Sequence, residues 1–288
     1  MSQYLMSCPV CEKEHDINVD FCSDHHQFTE PVNVRRAKIK NEVNALNSRY
    51  DLAKSQLINA GLSESLNLLE ELVRTNSNVI INTSFEFLWK WLLTSTDSYI
   101  GYALQIINGV RPKASFQNDV DRSLVESYLY GSVKNFSYAT FSISERGLFS
   151  YGDVSVILKI SDVVDRISVL ETNSFLFVDD IAERGLLRLR KPAPFGHMCV
   201  WSERQKLVVS KLAHNLHQSD TISDLDNLIV FCNGDREKDI FIELHIAGGF
   251  LGASIQKIKV PFSAQNYQNG LGKIRINELT KKFNLELF

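Results

Sequence analysis

The sequence predicts an α+β fold, with helices and strands segregated along the chain. Two patterns carry this expectation. Before Phe136 apolar residues recur at steps of three and four, and from Phe136 onward the chain is dominated by short runs rich in Val, Ile and Phe. Ahead of both lies a short segment with paired cysteines and too few apolar residues for a core of its own. The expected organisation is a zinc ribbon over residues 1–30, a helical arm over 31–96 and a β-sheet domain over 97–288.

The first segment is read from its ligand-type residues. Cys8-Pro-Val-Cys11 is followed, after ten residues, by Cys22-Ser-Asp-His25. Two-residue gaps let a tight turn aim two ligands at one ion, and zinc prefers thiolate and imidazole in a tetrahedron. The expected ligands of a structural Zn2+ are therefore Cys8, Cys11, Cys22 and His25, with His15 and His26 also within reach of the fourth position. A redox dithiol is the competing reading, but no strand–helix context follows the first pair. Arg35, Arg36, Lys38 and Lys40 come next, as either a phosphate-contacting patch or a solvated helix start.

Residues 34–60 contain no Gly or Pro, and Ile39, Val43, Leu46, Tyr50, Ala53 and Leu57 form one helical stripe. Gly61 is a natural stop, and a second helix over 63–73 carries Leu62, Leu66, Leu69 and Val73 on one face. The pair is either a protruding hairpin or part of the main core. Further helices are expected at 85–93, at 97–108 and after Asp121, and another near 203–216. Strands are expected at 136–143, 153–160, 166–171, 175–178, 228–233 and 239–246. There is no internal repeat.

Bulk properties narrow the function. The chain has 288 residues, enough for a real core, and its 44% hydrophobic and 23% charged composition is that of a globular protein. A net charge of −3 and a pI of about 6.2 exclude a global field for wrapping a polyanion. No apolar run approaches the ~18–20 residues that span a bilayer. The first residues lack the basic and apolar regions of a secretory signal. Three of the five cysteines crowd into residues 8–22, leaving Cys199 and Cys232 as packing residues in apolar strands. A cytoplasmic location is expected.

In the strand-rich half, Phe241, Glu243 and His245 share one strand face, opposite Ile240, Ile242, Leu244 and Ile246. A carboxylate and an imidazole two residues apart form either a cleft wall or the solvated face of an ordinary sheet. Two stretches then match a known pattern. Tyr151, Gly152, Val154, Leu158, Lys159, Arg166, Ser168, Asn173 and Ser174 form the first; Glu243, Gly248, Gly249, Ile255, Ile258, Val260 and Pro261 form the second. Over roughly residues 100–288 the chain thereby resembles ADP-ribosyltransferase-type toxins, with a weaker match between 176 and 225.

That resemblance implies a split, NAD-binding β-sheet domain with NAD as substrate. It implies Glu243 as the catalytic carboxylate, beside the nicotinamide ribose and the developing oxocarbenium charge. By the same resemblance Arg166 holds the cofactor and Tyr151 stacks on the nicotinamide, with Ser168, Asn173 and Ser174 also lining the cofactor site. Three departures stand out. There is no clear Ser-Thr-Ser strand, although Ser142 and Ser144 come close; no histidine lies between His26 and His197; and Phe241 precedes Glu243, so the paired Glu-x-Glu of arginine-modifying members is absent. Nucleic-acid bases and other side chains remain open as acceptors.

The remaining features carry less. Arg184, Arg188, Arg190 and Lys191 form either a substrate-facing loop or a solvated edge, and His197, His214 and His217 have no ligand partners. No phosphate-cradling Gly-rich loop or nucleophile elbow is present. The expectation is a cytoplasmic ADP-ribosyltransferase toxin, in a toxin–antitoxin or phage-defence setting, with a neutralising protein partner implied by analogy. The alternative is a non-catalytic zinc-ribbon adaptor that binds nucleic acid or protein.

Overall fold

The computed structural model describes residues 4–94, 98–109, 122–131, 135–183, 193–236, 238–268 and 270–288. A hairpin of β1 (Leu5–Ser7) and β2 (Glu14–Asp16) leads into helices α1 (Val32–Lys38), α2 (Lys40–Asn59) and α3 (Ser63–Thr75). Then follow β3 (Asn78–Thr83), α4 (Phe85–Thr94), α5 (Tyr102–Ile107), α6 (Arg122–Tyr130), β4 (Phe136–Ser142), β5 (Val154–Leu158) and β6 (Ile167–Leu170). Helix α7 (Ser174–Glu183), β7 (Met198–Val200), α8 (Arg204–Leu212) and α9 (Ile222–Ile229) precede β8 (Val230–Phe231) and β9 (Ile240–Phe241). The chain closes with β10 (Glu243–Ala247), β11 (Ile255–Val260), α10 (Leu271–Thr280) and β12 (Leu285–Leu287).

Eight strands form one mixed sheet in the order β12-β11-β5-β3-β4-β10-β6-β7, antiparallel throughout except for β11 against β12. The α+β class is thus that of the molecule, built on a single large sheet. Period-two alternation divides its faces. Val79, Ile81, Phe141, Val156, Val169, Leu244 and Ile246 pack on one side, against apolar residues of α2, α3, α4, α8 and α9. The other side is polar at its centre, where Asn82, Thr140, Ser142, Ser155 and Glu243 lie in register. A second core covers only one end of that side. It joins Tyr4 and Ile17 of the ribbon to Val32, Leu129, Tyr130, Phe136, Leu170 and Phe175.

Several expectations change here. Residues 31–96 are not a separate helical arm. β3 lies in the middle of the sheet, and Leu46, Leu57, Leu66 and Val73 belong to the main core. The long helix expected over 34–60 breaks at Ile39, which is extended (φ −61°, ψ 142°), so that α1 can lie over β6, β7 and β10 while α2 packs against β7, α3 and α8. The strand expected at 175–178 is the start of α7, because Asn173 Oδ1 accepts the Phe175 N–H at 2.9 Å and caps a helix there. The strand expected at 228–233 shrinks to two residues, because the Thr221–Asp224 capping box starts α9 at Ile222. The Arg184–Lys191 cluster and the start of the 97–108 helix lie outside the described residues. Among the described residues no helix is long and apolar enough to cross a membrane.

Candidate functional site

The ribbon gathers Cys8, Cys11, Cys22 and His26, whose ligand atoms all lie within 4.8 Å of one another. Cys11 Sγ and Cys22 Sγ are 3.8 Å apart, and His26 Nδ1 is 3.2 Å from Cys22 Sγ and 3.7 Å from Cys8 Sγ. Tetrahedral ligands at zinc–sulfur distances of ~2.3 Å stand ~3.8 Å apart, so this set can hold a metal ion and suits zinc. The three thiols form no disulfide. The fourth position is His26 rather than His25. His25 takes a left-handed conformation (φ 61°), donates its N–H to Cys22 O and points its ring to solvent. That turn brings His26 back, where its N–H donates to Cys22 Sγ at 3.2 Å. His15 packs its ring on Phe28 and stays outside the ligand set.

The ribbon is bolted to the sheet. Tyr4 donates its hydroxyl to Tyr128 O and accepts the Ala193 N–H, both at 3.0 Å. The Arg36 guanidinium lies over the Tyr4 ring, 4.1 Å from its centroid, and pairs with Glu42 at 2.5 Å with both side chains buried. Glu42 Oε1 also accepts the N–H groups of Gly196, His197 and Met198, each at 2.8 Å. Of the four cations read as either a phosphate-contacting patch or a solvated helix start, Lys38 and Lys40 are exposed and the two arginines are not. Arg36 is inside the protein, Arg35 is buried against Val19 O, and Lys38 pairs with Glu30.

The polar centre of the sheet opens into a cleft lined by Ile80, Asn82, Tyr138, Thr140, Leu148, Tyr151, Phe241 and Glu243. Glu243, only 3% exposed, is opposite Thr140 on one side and Leu170 on the other. Its Oε2 accepts the Ser174 N–H at 2.6 Å, at the first turn of α7, where unpaired N–H groups favour a negative charge. His245, two residues on, points the same way and places Nε2 3.3 Å from Glu243 Oε2. Behind it, the Tyr130 hydroxyl contacts His245 Nδ1, and Tyr138 donates to Glu126 at 2.5 Å. Burial pushes the Tyr130 phenol well above its ordinary range, so it stays protonated.

Two glycines shape the surroundings. At Gly152 a side chain would strike the Thr83 backbone at 2.2 Å, so glycine lets the Tyr151 loop press onto β3. At Gly249 it would meet Tyr99 O at 2.3 Å, where the chain pairs with Tyr99 through Phe250.

Of the residues read from the sequence, Glu243 and Tyr151 meet in the cleft, and Ser174 touches Glu243 through its backbone. Asn173 caps α7. Ser168 is fully buried opposite His245, near Tyr130. Arg166 does not reach the cleft. Its Nη1 donates to Ala247 O (2.6 Å) and Gly249 O (2.8 Å), fastening the turn after β10. Arg236 went unnoticed in the sequence. Its guanidinium lies over the Tyr151 ring, 4.8 Å from the centroid, and its Nε donates to Ser150 O. No periodicity marks it, because it stands on a loop. Asn33 was also missed, although it donates to Arg166 O (3.0 Å), Ser168 Oγ (3.3 Å) and His245 O (2.8 Å).

Fold and site define a mixed α+β protein with an N-terminal Cys/His cluster that could hold a metal ion and a carboxylate-bearing cleft on a large mixed sheet. No protein-family model matches the chain, and no curated protein matches it.

Proposed function

We infer that the chain is an ADP-ribosyltransferase that cleaves NAD at Glu243 and transfers ADP-ribose to a macromolecule. The observation that carries this reading is a single carboxylate, anchored by a helix N-terminus and almost wholly removed from water, in one cleft with Tyr151. A fixed carboxylate at a low-dielectric wall is what a developing oxocarbenium ion needs. The bond between C1′ of the ribose and the nicotinamide nitrogen breaks, and nicotinamide leaves with the electron pair. An acceptor heteroatom then bonds to C1′ and gives up its proton. Tyr151 is the stacking surface for the nicotinamide, and Arg236 is the nearby cation for a phosphate. Arg166 serves indirectly, by holding the turn that follows β10.

The zinc ribbon is architecture in this reading, since four ligands leave no position for a water. The resemblance to toxins of this class supports a toxin–antitoxin or phage-defence setting, a cytoplasmic location and a neutralising protein partner. The lone Glu243, with Phe241 two residues before it, favours a nucleic acid or a non-arginine side chain as acceptor. Release of nicotinamide from NAD by the purified protein, measured with RNA, DNA or protein as acceptor, tests the reading.

One observation favours the adaptor reading instead. A second and wider groove runs between the ribbon and the start of α2, lined by Leu5, Met6, Phe28, Lys40 and Val43 among others. A protein that retained partner binding when Glu243 and Tyr151 were both replaced, and never consumed NAD, fits that alternative.

A further inference from the structure

His245 is the one imidazole buried next to Glu243, and neither the toxin resemblance nor the cleft lining accounts for it. It is fully buried, and its ring is held edge-on by Tyr130 and Tyr138, with centroids 5.6 and 5.0 Å away. Its two nitrogens face different chemistry. Nδ1 meets the Tyr130 hydroxyl, which burial keeps protonated. Nε2 makes no hydrogen bond, yet lies 3.3 Å from Glu243 Oε2. A neutral imidazole carries one proton, and the nitrogen it does not occupy must accept. A carboxylate on the Nε2 side and a hydroxyl donor on the Nδ1 side both favour the same tautomer.

We propose that His245 is a positioning residue for Glu243, locked by Tyr130 as the Nε2–H tautomer so that this N–H and the Ser174 N–H together fix the carboxylate at the cleft wall. The chain of donors continues backward. The Tyr130 oxygen is 3.4 Å from Ser168 Oγ, and Ser168 Oγ accepts from Asn33 Nδ2 at 3.3 Å. Asn33 stands on α1, the helix that leaves the ribbon, so a row of polar contacts runs from the ribbon's exit to His245, whose Nε2 lies beside Glu243. At 3.3 Å the contact is longer than a charge-assisted hydrogen bond of ~2.8 Å, and the N–H is not aligned on the carboxylate oxygen. Substrate binding that draws the carboxylate slightly inward is expected to close it, as catalytic hydrogen bonds commonly tighten on binding.

The part of this proposal that concerns Glu243 in catalysis rests on the ADP-ribosyltransferase reading, whereas the tautomer does not. In protein labelled with 15N at histidine, the His245 signals are identified by their loss in His245→Gln, or by the shift that Tyr138→Phe induces if that variant does not fold. The expected spectrum has a protonated Nε2 and a hydrogen-bonded, unprotonated Nδ1, and Tyr130→Phe shifts the Nδ1 resonance. A protonated Nδ1 in the wild type overturns the proposal, as does a spectrum that Tyr130→Phe leaves unchanged. In the NAD reaction, Tyr130→Phe is expected to lower kcat by about 10–100-fold, the cost of slight misplacement. KM for NAD should stay within about twofold. Unchanged kcat overturns the positioning role. If wild-type protein with the predicted tautomer consumes no NAD, the enzymatic reading fails and the tautomer lock stands.

Discussion

Glu243 on β10 accepts a 2.6 Å hydrogen bond from the backbone N–H of Ser174, the first residue of α7. One contact thereby joins a strand near the end of the chain to a helix whose start is set by Asn173. The helix N-terminus supplies partial positive charge to a carboxylate that burial alone would make costly. Since Asn173 Oδ1 caps that helix, Asn173→Ala is expected to lower stability by about 1 kcal/mol, read by urea unfolding. An unchanged midpoint would remove the cap from the account.

The ribbon makes a sharper prediction, because neighbouring histidines have different fates. Purified protein should carry about one equivalent of zinc. His26→Ala should lose most of it, while His25→Ala should keep it, since His25 is the left-handed turn residue facing solvent. Chelation should also loosen the second core, in which Tyr4 and Ile17 take part. Metal analysis of the two variants decides between them; equal loss of zinc in both contradicts the assigned ligand set.

Arg36 and Glu42 hold the ribbon to the sheet from inside the protein. Glu42→Gln leaves a buried guanidinium without its countercharge, and breaking a buried pair on one side costs about 3–5 kcal/mol. Chemical denaturation should show a loss of that size. A loss below about 1 kcal/mol would mean that the pair is solvated in solution.

Lys211 links stability to pH. Burial pulls its ammonium down to about 8 from 10.5, against a smaller opposing pull from Glu171, and its Nζ makes no hydrogen bond. Between those two values the unfolded chain binds more protons than the folded one, so this group makes stability rise with pH from about 8 to 10.5. Below about 8 the destabilisation is complete. Lys211→Met should therefore stabilise the protein at pH 7, by up to about 3 kcal/mol, and the gain should vanish towards pH 10.5. A gain that does not change with pH would assign it to packing instead of charge.

How much of this was legible beforehand depends on the element. Glu243 and His245 could be assigned to one face because the β10 segment alternates strictly. The three clustered thiols were legible from spacing alone, but the choice between His25 and His26 turns on a positive φ that spacing does not encode. β3 was invisible because six residues between two helical patterns have no period of their own; only the pairing partners β4 and β5 make them a strand. Phe175–Val178 read as a strand by composition, and the cap at Asn173 overrides that preference. Arg166 illustrates the limit of residue type. An arginine beside a candidate site is as well suited to backbone carbonyls as to a phosphate, and here it bonds Ala247 and Gly249 at the turn after β10 and Asp162 before β6.

The proposed role of Glu243 is to carry a transfer reaction on NAD. The direct measurement incubates the protein and its Glu243→Gln variant with NAD labelled in the adenylate and a cell extract, followed by nuclease or protease digestion of the labelled product. Transfer by the wild type is expected, with a loss of about 10²–10³-fold in the variant, which keeps the shape of the side chain and removes its charge. Transfer that the substitution leaves undiminished would contradict it, and so would no transfer at all with nucleic acid and protein both present.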